Sequence, residues 1–400
     1  TTADSNSTYP APSHTASFTI GTDCYVEGMW NTSLNGAVAS VADLRNAING
    51  ASSNPLDTTV IPLGGNLTME GEQTLGVDKG KNIVLDLRGY KIEGNPADGG
   101  SIFSVTGKDS SLTIRDSEAG EDPAPQRVGA SAGIPENAGR VGTYENGLLT
   151  YYVAESDSTG IHTAEQTWEY RLDPGARTGN KKPGVIQASG ADSVISAWDN
   201  ARIVIEGGMI TNPGGRHGIS VEKNSALMMK GGYIVGSGSE SGTGSGKADG
   251  GGIIAKGSRL QMTGGVIAGN KASGDGGGIK VEDFREEVTA NGKRAVTVTK
   301  SNLQITGGII AANTAQDRGG GLGIDGGSAQ IGGDTVIAGN LAHGQTPREG
   351  SEEGEEDVED GDKWKNAVNF HGGGGIFFNG DKEIGETLKI QDDCYITNNY

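Results

Sequence analysis

The stretch Gly264-Gly265-Val266-Ile267-Ala268-Gly269-Asn270 decides the fold, because it returns as Gly307-Gly308-Ile309-Ile310-Ala311-Ala312-Asn313. Two earlier copies read Gly207-Gly208-Met209-Ile210-Thr211-Asn212 and Gly231-Gly232-Tyr233-Ile234, and a degenerate one runs from Gly332 to Asn340. Their starts are 24, 33, 43 and 25 residues apart, so the shortest spacings give a bare unit and the longer ones carry loops. A second motif interleaves with the first: Gly250-Gly251-Gly252-Ile253, Gly276-Gly277-Gly278-Ile279, Gly319-Gly320-Gly321-Leu322 and Gly373-Gly374-Gly375-Ile376. A third apolar-alternating piece lies between them, at Leu260-Gln261-Met262, Leu303-Gln304-Ile305 and Ala329-Gln330-Ile331. Three short strands with period-2 alternation, separated by glycines that turn tight corners, form each unit. Such units cannot bury their apolar faces alone and must stack.

The expectation is an all-β, right-handed parallel β-helix, a solenoid whose sheets run along its axis. Asn270, Asn313 and Asn340 recur at one corner, where they could form a ladder of side-chain amides satisfying turn backbone groups. Thr59–Leu63, Ile83–Leu87 and Ser111–Ile114 read as earlier, less regular strands. Val41, Leu44 and Ile48 fall on one helical face behind a loose capping box, Ser40-Val41-Ala42-Asp43, with Gly50 following the helix. That short helix would cover the open first coil, as a solenoid requires. The expected organisation is a tail and lead-in over 1–36, a capping helix and link over 37–58, and the β-helix over 59–400. Two segments interrupt it, an insertion over 117–184 and an acidic loop over 344–369.

Composition supports this reading. Glycine supplies 70 of 400 residues with only 12 prolines and no Gly-X-Y period, which excludes collagen. Aromatics are 5% and mean hydropathy is −0.41, values suited to a thin continuous core. The net charge of −19 argues against nucleic acid and anionic membrane as partners. No apolar run approaches the ~20 residues that span a bilayer. Cys24 and Cys394 lie at opposite ends of a rod and are expected to stay unpaired, beyond the ~7 Å limit of a disulfide. The chain opens without Met in a Ser/Thr/Pro-rich tail, as a mature secreted protein would, and stops at Tyr400 inside a repeat, as a fragment would.

With these residues in view, the chain resembles the pectin-lyase-like parallel β-helix proteins on the surface of gut and other Gram-positive bacteria. Ile83-Val84-Leu85-Asp86-Leu87-Arg88-Gly89-Tyr90-Lys91-Ile92 is similar to their opening coil. The alternation of Gly-Gly-x-Ile-x-x-Asn with Gly-Gly-Gly-Ile is similar to chlamydial polymorphic outer-membrane protein repeats. The resemblance covers roughly 80–115 and 185–400 and implies an extracellular, cell-wall-attached or secreted adhesin, monomeric, for an immunoglobulin, mucin, other host glycoprotein or glycan. The same fold carries polysaccharide lyases and glycoside hydrolases, so that alternative stands, as does a passive stalk.

Candidate sites follow. Gly215-Arg216-His217-Gly218-Ile219 has the Gly-His-Gly-like look of a polygalacturonase turn, but His217 stands where other coils have Gly, and Asp192 and Asp199 are not adjacent. No catalytic constellation is expected. Glu352, Glu353, Glu355, Glu356, Asp357, Glu359, Asp360 and Asp362 read as one solvated loop, with weak Ca²⁺ capture as its only metal reading and no other cofactor. In the insertion, Leu148–Val153 and Glu165–Arg171 read as a hairpin around Ser156–Thr163. Tyr144, Tyr151, Tyr152, Trp168 and Tyr170 gather five of the 20 aromatics there. They serve either as ligand-stacking anchors or as fasteners of the hairpin onto the rod. Loops leaving the coils over Gly236–Asp249, Lys271–Asp275, Thr314–Arg318 and Leu341–His371 should line one edge.

Overall fold

The computed structural model describes residues 31–34, 36–118, 123–130, 141–155, 166–175, 182–241, 247–290, 293–344, 367–368, 373–380, 385–391, 394–397 and 399–400. The fold is an all-β parallel β-helix, with one helix among the described residues. The expectations placed on Cys24, on the acidic run Glu352–Asp362 and on the hairpin tip lie outside the described residues.

Three columns of inward side chains form the core. Ile83, Leu112, Ile203, Leu227, Leu260, Leu303 and Ala329 occupy successive rungs of one parallel ladder. Ile92, Ile186, Ile210, Ile234, Ile267, Ile310, Ile337 and Ile396 occupy a second. Phe103, Ile195, Ile219, Ile253, Ile279, Leu322 and Ile376 make the third, in a nine-stranded sheet closed at one edge by antiparallel Ala367–Val368. The first two stacks merge into one 17-stranded sheet because Asn302–Ala311 and Ser328–Ala338 run straight across the corner between them. β-Branched residues suit these positions, since each packs against its own equivalent one rung away.

The expected asparagine ladder is present and longer than Asn270, Asn313 and Asn340. Asn270 Nδ2 donates to Asn313 Oδ1 at 3.0 Å, Asn313 to Asn340 at 2.9 Å and Asn340 to Asn399 at 2.9 Å. The second Nδ2 hydrogen of each donates to the preceding coil's isoleucine carbonyl: Ile234, Ile267, Ile310 and Ile337, all at 2.9 Å. Each Oδ1 also accepts a backbone N–H, so every corner amide is used. This ladder explains the triple glycines. A Cβ on Gly278 would lie 2.6 Å from the Gly321 carbonyl oxygen and 3.0 Å from Asn313 Nδ2, and Gly252, Gly321 and Gly375 are equally crowded. At Ser237 the ladder lacks its amide and the hydroxyl accepts the Asn212 N–H; on the side of the preceding coil, Asn212 Oδ1 is buried without a partner among the described residues.

The helix Val41–Gly50 caps the first coil. Ser40 accepts the Asp43 N–H at 3.1 Å, and Val41, Leu44 and Ile48 are buried against the core. Gly50 is its last residue rather than a left-handed stop; Ala51, extended at φ −64°, ends it. The expected hairpin pairs as Leu148–Glu155 with Gln166–Leu172, and it is the middle of a larger element. Thr143–Glu145 and Gln126–Ala130 extend it to a four-stranded antiparallel sheet. A second hairpin, Phe284–Ala290 with Lys293–Thr299, accounts for the 43-residue spacing that the sequence alone showed only as a loop. On the predicted loop edge, Lys271–Ala272, Thr314–Ala315 and Leu341–Ala342 stack as a narrow third sheet.

Replacing Asn313 by Ala strands the Asn270 N–H and side chain and the Ile267 carbonyl at once. Each buried unpaired group costs about 1–3 kcal/mol. Chemical denaturation should show a stability loss of that order or more for Asn313→Ala, and a midpoint increase for Ser237→Asn, which supplies the missing rung.

Candidate functional site: an open groove on the nine-stranded sheet

Whether a coil face is available to a ligand depends on what covers it. The insertion sheet lies on the outer side of the second isoleucine stack. Leu149, Tyr151, Val153 and Leu172 pack there against Tyr233, Val235, Val266, Ala268, Ala311 and Ala338. Gly142 N–H donates to the Gly339 carbonyl at 2.8 Å, and Gly269 meets Tyr144 so closely that a Cβ would sit 2.4 Å from the tyrosine's own. Register places the predicted aromatics. Tyr151 opposes Tyr170, Val153 opposes Trp168 and Tyr144 opposes Leu149, so Tyr144, Tyr151, Trp168 and Tyr170 share the rod-facing side. Tyr152 opposes Glu169 on the outward side. Tyr151 is 2% exposed and stacks on Tyr170 at 5.5 Å, and Arg127 lies over the Trp168 ring at 3.1 Å. Burial pushes the Tyr144 hydroxyl up to about 12, and burial with Tyr170 beside it drives Tyr151 higher still.

The C-terminal half of the nine-stranded sheet is covered differently. Lys280 points outward from Ile279–Glu282, yet it is 2% exposed. Its ammonium contacts Asp275 at 2.9 Å and Asp325 at 3.8 Å, while Arg318 grips Asp275 with two bonds at 3.2 and 2.9 Å and lies over Phe377. Burial alone would lower the lysine's pKa, but Asp275 and Asp249 more than offset it and the net shift is upward. Burial works to raise Asp275, and Lys280 and Arg318 overcome it. This column is a set of mutually neutralised charges closing the sheet's outer face.

Among the described residues nothing covers the N-terminal half. A groove of about 430 Å³ runs from Thr74 and Asp98 over Phe103–Thr106, Ser193–Trp198 and His217–Glu222. Its floor is a column of outward hydroxyls, with Ser104 beside Ser196 and Ser196 beside Ser220 on successive rungs. Strand spacing sets those rungs ~4.8 Å apart. Trp198 stands on the next column with its indole 38% exposed, braced edge-on by Phe284 of the second hairpin at 5.6 Å. Lys223 lies 5.6 Å from the same ring.

Three carboxylates rim the groove, each already engaged. Asp98 accepts from the Gly100 and Thr74 N–H groups at 3.1 Å and the Thr74 hydroxyl at 3.0 Å. The Gly100 bond leads in holding its carboxyl below the ordinary range, the opposite of what a general acid needs. Asp192 pairs with Arg216 at 3.2 Å, and Glu222 accepts the Ser220 hydroxyl at 2.9 Å. Among the described residues no group of three His, Cys, Asp or Glu side chains is placed to hold a metal ion.

His217 takes the register position of Gly251, as the repeat predicts, and is 4% exposed rather than presented to the groove. Its Nδ1 lies 2.9 Å from the Gly250 carbonyl, so the neutral ring donates there. Sequence reasoning missed Trp198 and the serine floor. Trp198 had a signal, an aromatic at an outward position of an alternating strand. Ser104 and Ser196 are separated by the whole insertion, and only the register makes them neighbours. Comparison with protein-family models, with curated proteins and with solved structures finds no match to the chain.

Burial drives the His217 pKa down to about 4, against the Gly250 bond that favours protonation. The unfolded chain, with His near 6.5, therefore binds the extra proton first. This contribution to stability is complete above pH ~6.5 and declines as pH falls towards 4. A plot of melting temperature against pH should lose part of its slope in that window in His217→Gln.

Proposed function

We propose that the chain is an extracellular, adhesin-like surface protein. Its β-helix holds the nine-stranded-sheet groove out to a glycan, free or carried on a host glycoprotein such as a mucin or immunoglobulin. The observation that carries this reading is Trp198, partly exposed beside a floor of serine hydroxyls in an otherwise polar groove. Sugars present C–H faces that stack on indole and hydroxyls that exchange hydrogen bonds with serine and carboxylate, so this pairing of surfaces suits them. The regular coil behind the groove supports the role of a rigid display frame. Kinship with the pectin-lyase-like surface proteins is part of the proposal and rests on the glycine and asparagine repeat.

The enzyme alternative draws on the same groove, since three carboxylates surround it. The hydrogen bonds that already occupy Asp98 and the ion pair that occupies Asp192 favour binding over acid–base chemistry. Four of the five insertion aromatics face the rod, which favours their fastening role; Tyr152 alone presents itself outward.

Binding to an array of purified glycans and secreted glycoproteins tests the reading. Trp198→Ala should weaken the best ligand by roughly tenfold or more, as loss of a central aromatic anchor does, with Trp168→Ala close to wild type. Loss in Trp168→Ala alone would move the site to the insertion. Depolymerisation of a polysaccharide, abolished by a single change at Asp98, Asp192 or Glu222, would replace binding by catalysis.

A further inference from the structure

We propose that the groove selects a glycan bearing free amino groups, a polymer of unacetylated hexosamine, over neutral or uronic-acid chains. This rests on the glycan-binding reading above and names the class of its ligand.

The sign of the groove's charge carries the argument. Its rim offers Asp98, Asp192 and Glu222, and no Lys or Arg lines it. Arg216 is bound to Asp192 at 3.2 Å, Lys223 to Glu286 at 3.5 Å and Lys256, one rung beyond Glu222, to Glu282 at 2.8 Å. Among the described residues no Lys or Arg is ion-paired with Asp98 or Glu222. An incoming uronate would meet at both a carboxylate held by hydrogen bonds but not by an ion pair, in a chain whose net charge is already −19. An ammonium meets attraction at the same points. At protein surfaces such pairs change sign, not size, between the two ligands, so discrimination is twice the single effect.

Geometry places the attraction where the aromatic is. Ala197 is the rung partner of Val221, so Trp198 and Glu222 sit on adjacent rungs of one outward column, ~4.8 Å apart. A sugar ring stacked on the indole spans about that distance, which brings a ring substituent over the Glu222 carboxylate. The Lys223 ammonium already lies 5.6 Å from the centre of that ring, so the pull on an incoming amine comes from Glu222 rather than from the indole. Ser220, which donates to Glu222 at 2.9 Å, holds the acceptor in place. Downstream, buried Ile254 and the Lys280 column close the face, and the groove's outward rungs run from Ser104 to Ser220. Two spacings of ~4.8 Å leave room for about two sugar rings.

The test is calorimetric titration of the whole chain with a β-1,4-linked glucosamine hexamer, its fully N-acetylated counterpart and a galacturonate hexamer. Wild type should bind the glucosamine hexamer roughly tenfold or more tightly than the acetylated one, lose that advantage in high salt, and show no heat with galacturonate. Glu222→Gln, checked for folding by circular dichroism, should bring the ratio of the first two affinities to about one. Equal or tighter binding of the acetylated or galacturonate hexamer overturns the amine preference, and so does an unchanged ratio in Glu222→Gln. If none of the three binds while another glycan on the array does so through Trp198, the amine preference falls and the glycan-binding reading stands. If no glycan depends on Trp198, both fall.

Discussion

The corner amide of Asn270, Asn313, Asn340 and Asn399 is the interaction on which the rest of the structure depends. A solenoid must turn its backbone three times per coil, and each turn exposes N–H and C=O groups that no sheet ladder can use. In the four coils that carry it, one carboxamide satisfies an isoleucine carbonyl behind it, and its oxygen takes a backbone N–H and, along the column, an amide hydrogen from the coil before. The bonds are buried, so each is worth most when the whole column is complete. The same closeness forbids a side chain on the facing glycines. Asparagine and triple glycine are therefore two halves of one device, and the aliphatic columns can stack in register because the corners do not slip.

Once coils stack in register, the outside of the rod becomes a set of columns with separate fates. Over the second isoleucine stack, alanines and valines replace polar residues and the insertion sheet lies down on them. Over the C-terminal half of the nine-stranded sheet, Lys280, Asp275 and Arg318 close the surface with charges that neutralise one another. Such a buried network contributes little net stability but leaves few alternatives for how the loops fold back. What the described residues leave uncovered is the N-terminal half of that sheet, where serines replace larger side chains and Trp198 is held upright by Phe284. The groove is thus defined by exclusion as much as by its own residues.

Much of this was legible from residue order because the determinants are local and repeated. The spacing of Gly-Gly-x-Ile, the alternation Leu260-Gln261-Met262 and the recurrence of Asn at one offset are short-range patterns, and a fold built from nearest-neighbour coils obeys them. The Ser40 cap and the Val41, Leu44, Ile48 stripe were equally local. The five aromatics between Tyr144 and Tyr170 were readable as an anchor cluster, but the side of the sheet they occupy follows from strand pairing. Alternation within one strand cannot say which face meets the rod.

Sequence by itself determined the coil, its corners, its core columns and the helix that closes its first turn, since each depends on residues within about one repeat of one another. Tertiary structure alone decided which outer face stays open. Ser104, Ser196 and Ser220 meet only because the insertion leaves and re-enters the helix without shifting the register. Trp198 is braced by Phe284, a residue more than eighty positions further along. Contacts between distant stretches of chain carry no periodic mark, and so nothing in the order of residues announces them.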